Sequence, residues 1–566
     1  MCIRDRPIAD SGYHENDFKL RDWGDQARAE VRERVAKDVA GLLATLTDAD
    51  TFREQLGARL LPLPPAGHTS EDPHWQLECR EVVPGASPRV EAPGALMAEN
   101  PEQTIIHPHR MGDVELCYDL GEQNVGYYQF ELEAESGTTI DIHGIEYIRP
   151  DGLLQHTEWN RNGVRYRCRQ GWNRFVSLKR RSGRYLIMTI RNQTSPVRIR
   201  LLRLVESTYP VAWRGRFACS DPVLDKVWEI SARTLKLCME DSFTDCPLYE
   251  QTHWVGDARN EALFAQSIFG AEDLSARCIR LAADSLKLYP MITCTAPTAS
   301  ADCMLPAWSF LWGLQVRDHW RHTGDKVFLR SVWPAVLKNI RGAESYLNDR
   351  GLFSAAFWNM FDWSGADQGH RTVIHNTLLF TGCVDAAIEV GGVLGRTGEV
   401  NNLTTLRARL ADAVNATWDR KRKAYPDSIH EDGKASPSTC VHNHFLSVLF
   451  DVIPKRLRTT AIENAIHPPE AMVRVGSPFA IQYYYEMLEK INRPELIFES
   501  IRANYLPMIR SGATTVWEQF AGGNAFNPSG FPTRSHTHAW SSAPIHFLHR
   551  LILGIVPSGI GGTCFD

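Results

Sequence analysis

A change in the spacing of apolar residues near Ser220 constrains the fold of this chain more than any other sequence feature. Between about residues 96 and 212, short runs such as GYYQFELEA and RYLIMTIR alternate apolar and polar residues, and Gly- and Asp-containing turns separate them. This alternation is typical of strands that bury one face. Beyond Ser220 the apolar residues recur at helical spacing. The sequence therefore predicts an antiparallel β-sandwich followed by a helical domain.

The helical domain is predicted to begin at Asp221-Pro222, because Asp is a favourable N-cap and Pro is tolerated in the first helical turn. Apolar residues continue at helical spacing to about Ser242. Later segments, such as ARNEALFAQSIFG closed by Gly270, extend the pattern to about residue 555. The pattern alone predicts an all-α domain with many helices over residues 213–555.

The residues before the sandwich have a different character. Residues 1–95 combine a charged helical pattern, from about Gln26 to Leu46, with a Pro-rich segment of loop composition. We expect a mixed helical and loop region there. The whole chain of 566 residues is long enough for about two to four domains.

Composition argues against several classes of partner. Lys and Arg number 62 against 67 Asp and Glu, and this net charge of −5 is spread without long runs, so neither nucleic acid nor a membrane surface is an expected partner. No apolar run approaches the roughly 18 residues of a membrane-spanning helix. No apolar segment follows Met1 to Arg6, so a cytoplasmic location is expected. The 13 Cys show no CxxC pair and no Cys/His metal spacing, which predicts reduced thiols and no metal site.

The densest group of chemically capable residues is DCPLYEQTHWVGD, which runs from Asp245 to Asp257 directly after the first predicted helix. It combines three carboxylates with two aromatic residues. A sugar-cleaving site needs carboxyl groups to move protons and hold hydroxyls, and aromatic rings to cover the apolar sugar face. Such a site also needs a second carboxyl group across the sugar ring. Glu518, in TTVWEQF, supplies that partner far downstream.

Several separated blocks resemble the bacterial α-L-rhamnosidases of the six-hairpin class, which are inverting glycoside hydrolases. Beside DCPLYEQTHWVGD, the blocks are GATTVWEQF, SHTHAWSSAP, FDWSG, LPAWSFLW and GSPFAIQYYYEML, and the resemblance covers roughly residues 100–560. Glu250 lies five residues after Asp245 and Asp257 lies twelve after it, as in the shorter form of the family signature. The resemblance implies a β-sandwich followed by an (α/α)6 toroid. It also implies that residues 556–566 are the start of a truncated C-terminal β-sandwich.

The chemistry and the resemblance together suggest a role for each candidate residue. Glu250 is the candidate general acid, and the charges of Asp245 and Asp257 are expected to raise its pKa. Glu518 is the candidate general base, and in an inverting enzyme the two carboxyl groups lie about 6.5–9.5 Å apart to admit a water molecule. By resemblance, Asp245 and Asp257 hold the sugar hydroxyls. The remaining expected lining consists of rings over the apolar face and polar contacts at its edge, from Trp254, Trp363, Trp540, Asp362 and His538.

The carboxylates have structural alternatives. Glu250 could be a charge at a helix N-terminus, and Glu518 could be a surface helix residue beside a core Trp517. Asp257 could cap a helix or form an ion pair with Arg259.

The rings have alternatives too, because each of the three Trp could be a packing residue. His536 and His538 are two residues apart and would point to opposite sides of a strand, so at most one of them faces the site. His442 and Asn443 lack the partners of a nucleophilic triad and are interpreted as structural.

The function predicted from the sequence is an inverting exo-acting α-L-rhamnosidase that needs no cofactor or metal and acts on terminal L-rhamnosides. Two alternatives stay open. One is an inverting glycosidase for another 6-deoxy or neutral sugar on the same toroid. The other is a non-catalytic carbohydrate-binding homologue, although binding alone does not need an acid opposite a base. The sequence leaves open whether the chain forms a homo-oligomer.

Overall fold

The computed structural model describes residues 58–62, 90–92, 95–96, 102–108, 112–148, 155, 162–297, 304–521, 531–557 and 559–562. They divide into two units. The first unit takes in the described residues up to Thr208 and also the turn Pro247–Glu250. The second takes in Tyr209–Cys246 and the described residues from Gln251 onwards.

The first unit is built on an antiparallel sheet. Among the described residues the sheet has nine strands, which are β1 (Ala58–Pro62), β2 (Val90–Glu91), β3 (Thr104–Ile106), β4 (Gly112–Ala134), β5 (Thr139–Ile145), β6 (Gly163–Arg167), β7 (Gly171–Val176), β8 (Arg181–Arg191) and β9 (Val197–Glu206). Their order is β2-β3-β9-β4-β8-β5-β6, with β1 and β7 also paired to β4.

The long strand β4 organises this sheet. Its first part pairs with β1 and β8, its second part pairs with β7 and β9, and the register shifts between Asp119 and Asn124. Leu116 from the first part and Phe130 from the second belong to the same buried core. The alternation read from the sequence therefore places apolar side chains from both parts of the sheet in one core.

The sheet extends beyond residues 96–212, the range predicted for it. β1 and β2 lie earlier in the chain, in the region expected to be helix and loop. Strands of five and two residues are too short to leave a recognisable alternation in the sequence. The helical pattern from Gln26 to Leu46 lies outside the described residues.

The second unit is helical. Its described residues form twelve α-helices, which are α1 (Pro222–Leu237), α2 (Val255–Ile268), α3 (Glu272–Asp284), α4 (Pro306–Thr323), α5 (Lys326–Glu344), α6 (Ile374–Val393), α7 (Thr397–Ala416), α8 (Val441–Leu449), α9 (Lys455–Ile466), α10 (Pro478–Lys490), α11 (Pro494–Arg510) and α12 (Ala543–Leu551). A short antiparallel pair, β10 (Thr372–Val373) and β11 (Ser428–Ile429), lies between them.

The even-numbered helices form a closed inner ring. Each packs against the next even-numbered helix, from α2 through α4, α6, α8 and α10 to α12, and α12 packs against α2. Almost every residue of α4 from Pro306 to Trp320 is buried, as expected of a helix with neighbours on all sides. The outer helix α1 instead buries one face, which includes Leu224 and Val227. The predicted fold class was an antiparallel β-sandwich followed by an (α/α)6 toroid, and the antiparallel sheet and the ring of helical hairpins confirm it.

Helix α1 begins as predicted but ends early. The carboxylate of Asp221 accepts hydrogen bonds from the N–H groups of Val223 and Leu224, and Pro222 occupies the first turn. The helix ends at Leu237 rather than near Ser242. The reason is a tight turn in which Thr244 donates both its N–H and its hydroxyl to the Cys238 carbonyl, at 2.8 and 3.0 Å. This turn delivers the following residue, Asp245, to the interior.

The cysteines differ in part from the expectation of reduced thiols, since Cys294 is disulfide-bonded. Eight others within the described residues are reduced thiols, namely Cys117, Cys168, Cys219, Cys238, Cys246, Cys278, Cys383 and Cys440. In the part of the chain that the structure describes, none of the helices has the length and apolar character needed to span a bilayer.

Candidate active site

Asp245 is held rigidly by its own segment and by a distant one. Its carboxylate Oδ1 accepts a hydrogen bond from the Thr252 N–H at 2.9 Å, and Oδ2 accepts one from the Cys246 thiol at 2.7 Å. Its backbone carbonyl accepts from the Ala539 N–H at 3.0 Å. The side chain is only 1% exposed. This network fixes the first carboxylate of the motif against the segment that carries His538.

Asp257 lies in the first turn of α2, where the helix dipole favours a negative charge. Its Oδ1 accepts a hydrogen bond from the indole Nε1 of Trp308 at 3.0 Å, and its Oδ2 lies 3.6 Å from Nε2 of His538. Gly256 permits the indole contact, because a Cβ atom there would lie 2.6 Å from the Trp308 ring. Asp257 is thereby oriented toward the same histidine that lies beside Asp245.

The structural alternatives for Asp257 are wrong. The N-cap of α2 is Trp254, and Asp257 lies inside the helix. Arg259 forms its ion pairs with Asp318 at 2.9 Å and Glu486 at 2.8 Å instead. Those two partners belong to α4 and α10, so Arg259 ties three inner helices together.

His538 completes this group of residues. It is 4% exposed, and neither ring nitrogen has a hydrogen-bond partner among the described residues. Burial, and secondly the charge of Arg534, hold the pKa of His538 well below its usual range, so the ring is neutral. Its ring centroid lies 4.2 Å from that of Trp540, whereas His536 packs against Trp517 at 5.1 Å. The two histidines therefore pack against different tryptophans.

Glu518 lies in a bend of an irregular segment and not on a surface helix, so that alternative is wrong. Its N–H donates to the Ser535 carbonyl at 3.0 Å, and the Ser535 N–H donates to its carboxylate at 3.2 Å. The indole Nε1 of Trp540 donates to the Glu518 carbonyl at 2.9 Å. Glu518 is 5% exposed. Two backbone-directed contacts and one side-chain contact thus fix its position.

The predicted tryptophans occupy two kinds of environment. Trp540 is buried and positions Glu518 through the hydrogen bond described above. Trp254 and Trp363 are half-buried and lie at the two ends of a row whose middle member is Trp358, with centroid distances of 6.2 and 6.0 Å. Trp358 was not among the residues predicted from the sequence, although it lies only five residues before Trp363.

Asp362, expected to be a polar residue of the site lining, has its carboxylate held by other residues of the chain. It is 2% exposed, and its carboxylate accepts hydrogen bonds from the Ser477 hydroxyl at 2.5 Å, the Gly476 N–H at 2.7 Å and His442 Nε2 at 2.7 Å. The carboxylate therefore fixes Gly476 and Ser477, the two residues that precede α10. His442 is likewise structural, as interpreted from the sequence.

Glu261 is a buried acid that was not predicted from the sequence. It lies on α2 four residues after Asp257, is fully buried, and has no hydrogen-bond partner on either carboxylate oxygen among the described residues. Burial, followed by the charges of Asp257 and Asp245, raises the pKa of Glu261 well above its usual range. A spacing of four residues places two side chains on one helix face, so the signal was present in the sequence.

Glu250 ends the turn Pro247–Glu250, which belongs to the first unit. Its side chain is half-buried. Within the same unit, the Tyr249 hydroxyl accepts a hydrogen bond from the Gln155 amide at 2.8 Å. The next residue, Gln251, has a φ of 51°, a left-handed conformation that is uncommon for a residue other than glycine. A sharp backbone reversal therefore follows Glu250.

Comparison with protein families gives a match over most of the second unit. Residues 213–552 match the family model described as the bacterial alpha-L-rhamnosidase 6 hairpin glycosidase domain. A search of curated proteins finds no match.

Comparison with solved structures gives the same family. The GH78 family rhamnosidase of Bacillus sp. GL1 is 39% identical with a TM-score of 0.80, over 83% of this chain and 49% of that protein. The rhamnosidase of Klebsiella oxytoca with rhamnose bound has 17% identity and a TM-score of 0.65, over 88% and 98% of the two chains. The Streptomyces avermitilis alpha-L-rhamnosidase complexed with L-rhamnose has 19% identity and a TM-score of 0.62, over 81% and 45%. This chain thus spans about half the length of the Bacillus protein.

Proposed function

This chain belongs to the bacterial α-L-rhamnosidase family of six-hairpin glycosidases, and from that premise we propose that it hydrolyses terminal α-L-rhamnosides with inversion at the anomeric carbon. One observation carries the proposal. Asp245, Asp257 and Glu518 are buried carboxylates of the second unit that are held by hydrogen bonds, and His538 lies beside the first two of them. Buried carboxylates are costly to maintain without a function, because each must be desolvated.

Glu518 is proposed as the general base that removes a proton from the attacking water. A base of this kind must be held in place to accept the proton, and the Ser535 N–H donates a hydrogen bond to its carboxylate at 3.2 Å. Its backbone is fixed on both sides, by Ser535 and by Trp540. A rigid base holds the water on one face of the sugar, which is what inversion requires.

Glu250 is proposed as the general acid that protonates the leaving oxygen. The assignment rests on its place in the motif, five residues after Asp245, and on the need of this reaction for a second carboxyl group. Its half-buried position suits a group that must exchange a proton with solvent after each turnover.

Asp245 and Asp257 are proposed to accept hydrogen bonds from sugar hydroxyls, and neutral His538 can donate one from whichever nitrogen carries the proton. The half-buried row of Trp254 and Trp363 offers faces for the apolar side of the sugar. The Klebsiella and Streptomyces relatives were solved with rhamnose, which supports the choice of sugar.

The proposal is tested by turnover of aryl α-L-rhamnoside beside aryl α-L-fucoside, with the first-released anomer followed by proton NMR. We expect release from the rhamnoside and initial formation of the β-anomer. Glu518→Gln should reduce kcat by about 10²–10⁴-fold, which is the usual contribution of a general base. Exposed Glu229→Gln on α1 is the matched control and should retain wild-type kcat.

Leaving groups separate the acid from the base. Glu250→Gln should lose most activity on alkyl rhamnosides, whose leaving group needs protonation, and less on nitrophenyl rhamnosides. Glu518→Ala should lose activity on alkyl and nitrophenyl rhamnosides to the same extent. Added azide, which attacks without a general base, should restore turnover and give the β-rhamnosyl azide. Initial release of the α-anomer, or a preference for the fucoside, would refute the proposal.

A further inference from the structure

Asp245, Cys246 and His538 form a compact group of metal-ligand atoms. One ligand atom from each residue lies within 4.8 Å of the other two, and the three side chains are 1%, 1% and 4% exposed. The Asp257 Oδ2 lies 3.6 Å from His538 Nε2, so a second carboxylate is next to the histidine of this group. Thiol, imidazole and carboxylate are the ligand types that bind zinc, usually with tetrahedral geometry.

His538 is an independent indication that something binds here. Its two ring nitrogens are buried without a hydrogen-bond partner among the described residues. A neutral imidazole has one nitrogen whose lone pair is available to a cation.

The geometry is also preorganised. The Ala539 N–H donates to the Asp245 carbonyl at 3.0 Å, so the segment that carries His538 is fixed to the segment that carries Asp245 and Cys246. The Cys246 thiol already points at the Asp245 carboxylate, at 2.7 Å from Oδ2. The three residues are therefore held near one another before an ion binds.

We propose that a thiophilic divalent cation of the Zn²⁺ type binds to Asp245, Cys246 and His538, with Asp257 as the fourth ligand, and that this ion inhibits the enzyme. Binding forms the metal–sulfur bond and releases the Cys246 thiol proton to solvent. Ca²⁺ and Mg²⁺ are poor occupants, because they prefer six or more oxygen ligands to sulfur and nitrogen. The inhibitory effect rests on the proposed function, since Asp245 and Asp257 would otherwise hold the sugar.

A second histidine cluster in the described residues differs in geometry. His370 and His430 lie beside Asp367, but their rings stack with centroids 3.8 Å apart and planes at 19°, so their nitrogen lone pairs run nearly parallel. Asp367 Oδ2 already accepts hydrogen bonds from the hydroxyls of Ser428 and Ser436. This half-exposed cluster is the natural control for the proposed site.

Co²⁺ is the probe, because a cobalt–thiolate bond gives a near-ultraviolet charge-transfer band that requires no catalysis. We expect wild-type protein to bind one equivalent with that band, and Cys246→Ser to lose it. Cys219→Ser and His430→Gln should retain it. His538→Gln should weaken Co²⁺ binding by about tenfold or more, and it serves as a second variant if Cys246→Ser does not fold.

Activity gives the second readout. Zn²⁺ should inhibit competitively with the aryl rhamnoside, and a chelator should reverse the inhibition. A folded wild-type protein without the thiolate band, or a band that survives in Cys246→Ser, would overturn the site. A protein that binds Co²⁺ at Cys246 but hydrolyses no rhamnoside would instead preserve the site and refute the proposed function.

Discussion

The indole Nε1 of Trp308, on α4, donates a 3.0 Å hydrogen bond to the Asp257 carboxylate, on α2. This hydrogen bond joins two neighbouring helices of the inner ring, and Asp257 is one of the residues proposed to bind the sugar. It fixes one oxygen of Asp257 and leaves the other toward His538. The orientation of the carboxylate thus depends on a residue outside the acidic motif.

Trp308→Phe should therefore reduce activity. Hydrogen bonds to charged groups contribute about 1.5–3 kcal/mol, so kcat/KM for the rhamnoside should fall about tenfold or more. Trp312→Phe is the control, because this indole is also buried on α4 but donates to the Ile279 carbonyl at 3.1 Å. It should lower stability by about 1 kcal/mol and leave kcat/KM unchanged. Equal kinetic losses in both variants would contradict the role given to Trp308.

Asp362→Asn should destabilise the protein rather than weaken sugar binding. The carboxylate accepts hydrogen bonds from His442, Gly476 and Ser477, and an amide would turn a donor toward one of them. The free energy of unfolding in denaturant should fall by about 2–3 kcal/mol, with an unchanged KM. Exposed Asp432→Asn should stay within about 0.5 kcal/mol of wild type. A raised KM with unchanged stability would restore Asp362 to the sugar site.

Glu261→Gln should increase stability at neutral pH. In the folded state Glu261 stays protonated, because burial raises its pKa, whereas in the unfolded chain it ionises above about pH 4.3. The unfolded state therefore binds fewer protons above that pH, and this group makes stability fall as pH rises.

A neutral amide at residue 261 removes that penalty, so the variant should exceed wild type in unfolding free energy at pH 7. The difference should shrink near pH 4, where both states of the wild-type carboxyl are protonated. Denaturant unfolding curves at several pH values measure this difference in unfolding free energy, with Glu229→Gln as the exposed control. Equal pH dependence of wild type and Glu261→Gln would contradict the assignment of a neutral acid.

Acid should destabilise the fold through buried histidines. Among the described residues of the second unit, burial lowers the pKa of nine histidines. The pKa falls to about 4 for His253 and His319 and to about 3 for His375, His444 and His536, and it is also lowered for His322, His538, His546 and His549. The unfolded chain takes up protons below about pH 6.5 that the folded chain does not, so this stability is present above that pH and is lost as pH falls.

The contribution of one histidine can be isolated at His444. Between about pH 6 and 4, His444→Gln should reduce the pH dependence of unfolding by about one proton, whatever its effect on stability at pH 7. Exposed His467→Gln is the control. An unchanged slope in His444→Gln would show that this ring titrates alike in both states.

The sequence was sufficient where a local pattern determines structure. Asp221 and Pro222 mark the start of α1, and the change of apolar period near Ser220 separates sheet from helices. It was insufficient where the partner is remote in the chain. The sequence around Asp362 does not indicate that its carboxylate will accept a hydrogen bond from the Gly476 N–H. The sequence around Cys246 likewise does not indicate that His538 will lie beside it. Those contacts depend on closure of the helical ring, which only the tertiary structure supplies.

That closure also has a consequence during synthesis. Helix α2 carries Asp257, and its neighbour α12 is made only after α3 to α11 have been synthesised. At about 5–20 residues per second, the wait is on the order of tens of seconds. During that time the face of α2 that packs against α12 has no neighbour, and the segments that carry Glu518 and His538 have not yet been made. The nascent chain therefore acquires its charged interior last, when the final hairpin docks.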